Sequence, residues 1–283
     1  VAKALIYCAS KDIIPHMNVK YSPLLVASDI GGTLIGKDNR IGSYTLSVFE
    51  SLLNMNIPLV LITGYNYHTT LRITHHLDDR VVRMPQNGTI CIENGKAIWE
   101  ERIEHEMVVK ISAYLEEKRL PVVVYQGREG QYRNLVIPLG EQAISGDFTP
   151  IVSLPDFSTI TGISTRLDER LVPEIRAGLT DLIEGRYTLI YVRERDISWL
   201  EVTPKNVRKD LALKRYCHMK NIPLERVVYF GDNFNDLEAL ESVGEPVVME
   251  NGVEELKARF TLRAEPVDRE GVAKYLSSRF LVS

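Results

Sequence analysis

The sequence predicts an α/β protein in which a parallel-sheet core is split by an inserted α+β module. Three observations carry that reading. Short apolar runs at 24–27, 59–62 and 227–230 each stop at a loop holding Asp or Gly, as strands buried on both faces do. A helix-spaced set lies between the first two, which gives the β-α-β order of a parallel pair. From about 89 to 198, by contrast, strands recur at hairpin-like intervals among helices.

Each element follows in turn. The run 24–27 ends at Ser28-Asp29 and Gly31-Gly32, a strand entering a tight loop. Leu46, Phe49, Leu52 and Leu53 recur at helical spacing before the run 59–62, which Gly64 stops. Segments 89–93 and 96–100 flank Asn94-Gly95, the strongest short hairpin signal. A helix presents Met107, Val108, Ile111, Tyr114 and Leu115 on one face, a stripe read as module core rather than as a ligand box. Strands are expected near 122–125 and 134–137. After a loop with Pro150 and Pro155 come a strand near 159–164, a helix carrying Leu171, Val172, Ile175, Leu179 and Leu182, and strands near 189–192 and 198–202. The α/β pattern then returns, with a helix to about Lys220, the strand 227–230, a helix through Leu237 and Leu240, the strand 247–249 and a last helix over 271–280. The reading is a core of 23–88 plus 199–283, an insert of 89–198, and an N-terminal extension of 1–22 that carries no motif.

Composition narrows the class of function. A chain of 283 residues that is 45% hydrophobic and 25% charged can bury a sizeable core and is too apolar to be disordered over most of its length. Acidic residues (38) slightly outnumber basic ones (34), and Lys and Arg are scattered, so there is no basic footprint for nucleic acid. The longest apolar runs fall far short of the roughly 18–20 residues needed to span a bilayer. The stretch 4–9 is shorter than a secretory apolar region of about 7–15 residues. Cys8, Cys91 and Cys217 show no CxxC spacing, which fits a reducing cytoplasm, with Cys91 and Cys217 as small core residues.

Ligands of an open α/β sheet bind beyond the carboxyl ends of its strands. Three polar loops fall there: Asp29-Ile30-Gly31-Gly32-Thr33, Thr63-Gly64, and Gly231-Asp232-Asn233-Phe234-Asn235-Asp236. Carboxylates gathered at strand ends repel one another without a cation, and oxygen donors with no nearby thiolate or His pair favour Mg²⁺. Asp232 and Asp236, four apart at a loop-to-helix junction, are both placed to face such an ion. Lys209 supplies a point charge suited to phosphate.

In this order, Asp29 with Thr33, Leu61-Ile62-Thr63-Gly64, Glu201-Val202-Thr203-Pro204 with Lys209, and the loop 231–236 resemble the haloacid dehalogenase-like superfamily, and within it the Cof-type phosphatases with an inserted cap. Asn87-Gly88 and Glu270-Gly271-Val272-Ala273 agree with it. The resemblance covers about residues 24–280 and implies a Rossmann-like core with a cap that closes over the site and selects a small phosphorylated metabolite. It implies that Asp29 attacks phosphorus, that Thr33, Thr63, Gly64 and Lys209 hold phosphoryl oxygens, and that Mg²⁺ sits on Asp29, the Gly31 carbonyl and Asp232, with Asp236 orienting metal-bound groups.

Two positions depart from the pattern. Gly31 stands where the family usually has a second Asp that gives and takes protons, and Tyr65 where Cof-type chains usually have Arg. Loss of a positioned acid and base typically costs about 10²- to 10⁴-fold. Three readings therefore stay open: a slow or selective phosphatase, an enzyme of other phosphoryl or phosphorus–carbon chemistry, and a phosphate-ligand-binding protein without turnover. Tyr65 and His68 are substitutes for the missing acid in one reading and peripheral packing or substrate contacts in another. Lys205 and Arg208 lie close enough to Lys209 to compete for the phosphate role. His75-His76 do not share a helix face and are expected at the surface.

Overall fold

The computed structural model describes residues 23–128, 130–133, 149–150, 159–194 and 197–281. The extension 1–22, Cys8 within it and the strand expected near 134–137 lie outside these residues.

The chain begins with β1 (Leu25–Ser28), α1 (Ser43–Asn54), β2 (Leu59–Ile62), α2 (Tyr67–Thr74), β3 (Val82–Met84) and the hairpin β4 (Ile90–Glu93) and β5 (Lys96–Glu100). It continues through α3 (His105–Glu117), β6 (Val123–Gln126), β7 (Gly130–Arg133), β8 (Thr149–Pro150), β9 (Gly162–Asp168), α4 (Val172–Ile183), β10 (Thr188–Glu194) and β11 (Ile197–Thr203). It closes with α5 (Lys209–Lys220), β12 (Val227–Gly231), α6 (Leu237–Ser242), β13 (Glu245–Met249), α7 (Glu254–Arg259), β14 (Leu262–Ala264) and α8 (Gly271–Leu276). The last helix is shorter than expected, because a π turn over Ser277–Leu281 follows α8.

An eight-stranded sheet runs β14-β13-β12-β1-β2-β3-β4-β5, with β1 at its centre between β12 and β2. The pairs from β14 to β3 are parallel, and the hairpin is antiparallel. Alternate residues of the buried strands feed two apolar layers. Val26, Leu59, Leu61, Val228 and Phe230 pack with α1 and α8, while Leu25, Ala27, Val60, Ile62, Val227 and Tyr229 face α5, α6 and α7. Helix α1 has no cap of its own. Glu270, beside α8, accepts from the backbone N–H and the hydroxyl of Thr45 at 2.7 and 2.8 Å and places a carboxylate at that helix N-terminus.

A six-stranded sheet, β10-β11-β9-β6-β7-β8, with α3 and α4 against it, forms the inserted module. The expected edges of that module need correction. Strands β4 and β5, expected at its start, extend the core sheet beyond β3, and the expected boundary between 198 and 199 falls inside β11, which pairs with β9 and β10 as the strand expected to complete the module. We place the edges at the ends of β5 and β11 instead. Asn94 and Gly95 both have positive φ, 50° and 71°, so the hairpin signal was sound and only its sheet was misjudged. No helix among the described residues is long and apolar enough to cross a membrane.

Candidate active site

The central strand ends at Asp29, β2 at Thr63 and β12 at Asp232, so three polar loops meet at one edge of the parallel sheet. Backbone bonds lock the first loop. Asp29 N–H donates to the Phe230 carbonyl at 2.9 Å, and the N–H groups of Leu34 and Ile35 turn back to the Ile30 carbonyl at 2.8 and 3.0 Å. Gly32 adopts φ +76°, and a Cβ there would stand 2.3 Å from Asp232 Oδ2, so only glycine lets the first and third loops meet. Asn251, beyond β13, donates to the Gly32 carbonyl at 2.7 Å.

Lys209, the first residue of α5, is fully buried and its ammonium lies 2.8 Å from Asp29 Oδ1 and 2.7 Å from Asp236 Oδ1. Burial alone would lower its pKa, but the two carboxylates hold it above the ordinary lysine value. Of the three basic residues near this position, only Lys209 is paired with Asp29 among the described contacts. Lys205 is exposed, and Arg208 is paired with Asp210 and Glu238.

Asp236 is also fully buried, and four donors surround it. Lys209 and the Tyr229 hydroxyl reach Oδ1 at 2.7 Å each, and the N–H groups of Asp232 and Asn233 reach Oδ2 at 3.1 Å each. It thereby shapes the loop that presents Asp232, rather than offering free lone pairs to an ion. Asp232 accepts from the Thr33 hydroxyl at 3.1 Å. Burial pushes its carboxyl well above the usual range, and the neighbouring Asp29 and Asp236 add to the shift. Asp29 itself is raised to about 6, chiefly by burial, with Lys209 opposing.

Oxygens of Asp29, Asp232 and Asp236 lie within 4.8 Å of one another. With all three carboxyls ionised, one lysine offsets one of three negative charges, and a divalent cation would neutralise the surplus that otherwise holds protons on the cluster. With oxygen donors only, the residues fit a hard ion.

Thr63 is buried beside this cluster on the adjacent strand end. Its N–H donates to the Met84 carbonyl at 3.1 Å, and its hydroxyl accepts from the N–H of Tyr65 at 3.2 Å. A Cβ at Gly64 would meet nothing closer than 3.8 Å, so crowding does not explain that glycine. Elsewhere, His75 and His76 form an exposed edge-to-face pair, as expected of surface residues. Cys91 and Cys217 are buried, and burial raises their thiols to about 12 and about 11.

Sequence reasoning missed a buried polar chain behind the site. Asn87 donates to Glu201 Oε2 at 3.0 Å and accepts from Asn235 at 3.1 Å, which ties module strand β11 to two core loops. Burial lifts Glu201 to about 8. The available signal was the polar turn Gln86-Asn87-Gly88, all three residues of which have positive φ. A second module contact lies at the third loop. Phe234 stacks on Tyr191 at 5.6 Å, with the Arg193 guanidinium 4.9 Å from its ring and paired to Glu255.

The family described as haloacid dehalogenase-like hydrolase matches residues 26–276. The chain belongs to the haloacid dehalogenase-like hydrolases. An HMP-PP phosphatase of Yersinia pseudotuberculosis is 26% identical over 266 residues, covering 89% of this chain and 93% of that protein. Among solved structures, BT1666 of Bacteroides thetaiotaomicron, described among phosphatases of this superfamily, superposes with a TM-score of 0.79 at 19% identity, covering 96% of this chain and all of that one. The subclass IIB sugar phosphatase BT4131 gives 0.74 at 20%, covering 91% and 99%. At these identities the structural likeness bears out the fold, the parallel-sheet core with a second, largely antiparallel sheet. The haloacid dehalogenase-like family makes this chain a hydrolase whose relatives are phosphatases.

Proposed function

We propose that this hydrolase is a Mg²⁺-dependent phosphatase of small phosphorylated metabolites, acting through an aspartyl-phosphate on Asp29. The observation that carries the proposal is the buried 2.8 Å contact between Asp29 and Lys209 beside Asp232. It supports a nucleophilic carboxylate held in place next to a fixed positive charge.

Asp29 and Asp232, with the Gly31 carbonyl, would hold the ion, and Asp236 would support them from behind. A bound Mg²⁺ supplies positive charge against phosphoryl oxygens as negative charge builds on them. The chain's own residues do the rest. Asp29 attacks phosphorus and expels the leaving oxygen, and water then cleaves the acyl phosphate to restore the carboxylate. Thr33, the Thr63 hydroxyl and the Gly64 backbone hold and orient the phosphoryl group, and Lys209 offsets its charge. The inserted module, seated over the third loop through Tyr191 and Arg193, acts as the lid that chooses the substrate. The named relatives act on HMP-PP and on sugar phosphates, which supports a small phosphorylated metabolite here as well.

The test is phosphate release from a panel of sugar phosphates, pyrophosphate esters and acyl phosphates with Mg²⁺. Turnover is expected on at least one member, and EDTA or Asp29→Asn should abolish it. A folded, Mg²⁺-loaded protein that releases no phosphate from any member would overturn the reading.

A further inference from the structure

The two positions at which the sequence departs from its family, 31 and 65, meet in space. A Cβ built on Gly31 would stand 2.8 Å from Tyr65 Oη, 3.2 Å from Cζ and 3.3 Å from Cε2. Carbon and oxygen that are not bonded do not approach so closely, so no side chain fits at 31 while the phenol is there. Gly31, unlike Gly32, is not among the positive-φ glycines, so its backbone does not demand glycine. The residue is explained by the space that Tyr65 fills.

That space belongs to the loop that carries Asp29, two residues further along the chain. A carboxyl oxygen borne by residue 31 would sit two bonds, roughly 2.4 Å, from its Cβ. Tyr65 Oη therefore brings a proton-bearing oxygen to about the distance from residue 31 at which such a carboxyl oxygen would lie. The phenol is held there from its backbone. Tyr65 follows the Thr63-Gly64 loop, its N–H donates to Thr63 Oγ1, and its carbonyl accepts from Gln86 N–H at 2.8 Å. Its ring is half-buried against the core layer of α1.

From this geometry we infer that the Tyr65 phenol is the proton-transfer group of the reaction. The inference rests on the phosphatase reading above. In the first half-reaction an Asp29 oxygen bonds to phosphorus as the bond to the leaving oxygen breaks. The electron pair goes to that oxygen, which takes the phenolic proton and departs as an alcohol. In the second, a water oxygen bonds to phosphorus, the Asp29 oxygen leaves as carboxylate, and the water's proton returns to the phenolate. One water is consumed, and alcohol and phosphate are released.

A phenol is a stronger acid than an alkyl or sugar hydroxyl and a weaker one than a carboxylic acid. Its proton therefore matters for an alkyl phosphate and hardly at all for an acyl phosphate, whose leaving carboxylate needs none. Tyr65→Phe removes the proton and keeps the ring. The measurement is kcat/KM of the Mg²⁺-loaded full chain on a sugar phosphate and on acetyl phosphate. The expected result is a loss of about 10²- to 10⁴-fold on the sugar phosphate with a loss under about tenfold on acetyl phosphate, a split that a merely structural role would not produce. Equal losses on both, or none on either, with wild-type turnover intact would overturn the role of Tyr65 and leave the phosphatase standing. No turnover of any member of the panel by wild type would overturn both. A second measurement needs no activity. Gly31→Ala should lower Tm by about 5 °C and should do so far less in a Tyr65→Ala background. Equal shifts in both backgrounds would overturn the contact on which the inference stands.

Discussion

The loop that carries Asp29 has two unlike sides. On one, Gly32 faces Asp232, and behind it the Lys209 ammonium, Asp29 Oδ1, Asp236 Oδ1 and the Tyr229 hydroxyl form a dense buried web. On the other, Gly31 faces one half-buried phenol. The charged side is over-determined, since each group is fixed by several others. The uncharged side depends on a single side chain. The difference teaches that binding and stabilising charge take many coupled contacts, whereas moving one proton takes one well-placed hydroxyl.

The largest effect should come from the residue that both sides share. Asp29→Asn is expected to reduce phosphate release by about 10⁴-fold or more, with little change in Tm, because Asp236 still pairs with Lys209. Next, Lys209→Met strips the counter-ion from two buried carboxylates. Urea unfolding should show a loss of about 3–5 kcal/mol, and a loss below 1 kcal/mol would contradict a tightly coupled web.

The two glycines then separate the two sides. Gly32→Ala should destabilise by about 1–3 kcal/mol, through both the Asp232 clash and its left-handed backbone. Asp232→Ala should relieve only part of that cost, since φ +76° remains unfavourable for alanine. At Gly31 the cost should vanish almost entirely once Tyr65 is truncated. Matching behaviour of the two positions in thermal melts would erase the distinction drawn between them.

A pH-dependent effect concerns the polar chain behind the site. Glu201 is neutral in the fold up to about 8 but ionises near 4.5 when unfolded. The unfolded state therefore binds fewer protons between those values, and the contribution of Glu201 is full below about 4.5 and is lost as pH rises towards 8. Relative to Glu201→Gln, the wild-type protein should lose on the order of 1 kcal/mol per pH unit across that window. Parallel stability curves for the two proteins from pH 5 to 8 would show that Glu201 is charged in the fold.

Much of this arrangement was legible in the sequence because parallel strands buried on both faces read as unbroken apolar runs. Leu59–Ile62 is such a run, and the loop after each run held the polar residues that converge. Sheet membership was less legible. Alternation marks a strand but does not say which neighbour it pairs with, so Ile90–Glu93, expected in the module, lies in the core sheet instead. The buried chain of Asn87, Asn235 and Glu201 was hidden for another reason. Polar residues are exposed by default, and only partners distant in sequence, here 114 and 148 positions apart, make their burial tolerable. Tyr65 was visible as a departure from pattern, but its meaning required seeing its phenol fill the space beside Gly31.

The turn at Gln86-Asn87-Gly88 links these regions mechanically. Three successive residues there have positive φ, and left-handed Gln and Asn persist only where their surroundings hold them. The holding contacts come from the inserted module, through Glu201 on Asn87 and Thr161 on Gln86. The same turn grips the other loop by its backbone, Asn87 N–H on the Thr63 carbonyl at 2.7 Å and Gln86 N–H on the Tyr65 carbonyl at 2.8 Å. Under the proposed lid role, a module that seats badly on the wrong substrate would slacken this clamp and shift the Thr63 and Tyr65 loop as one piece, so fidelity would be enforced by rate as well as by fit.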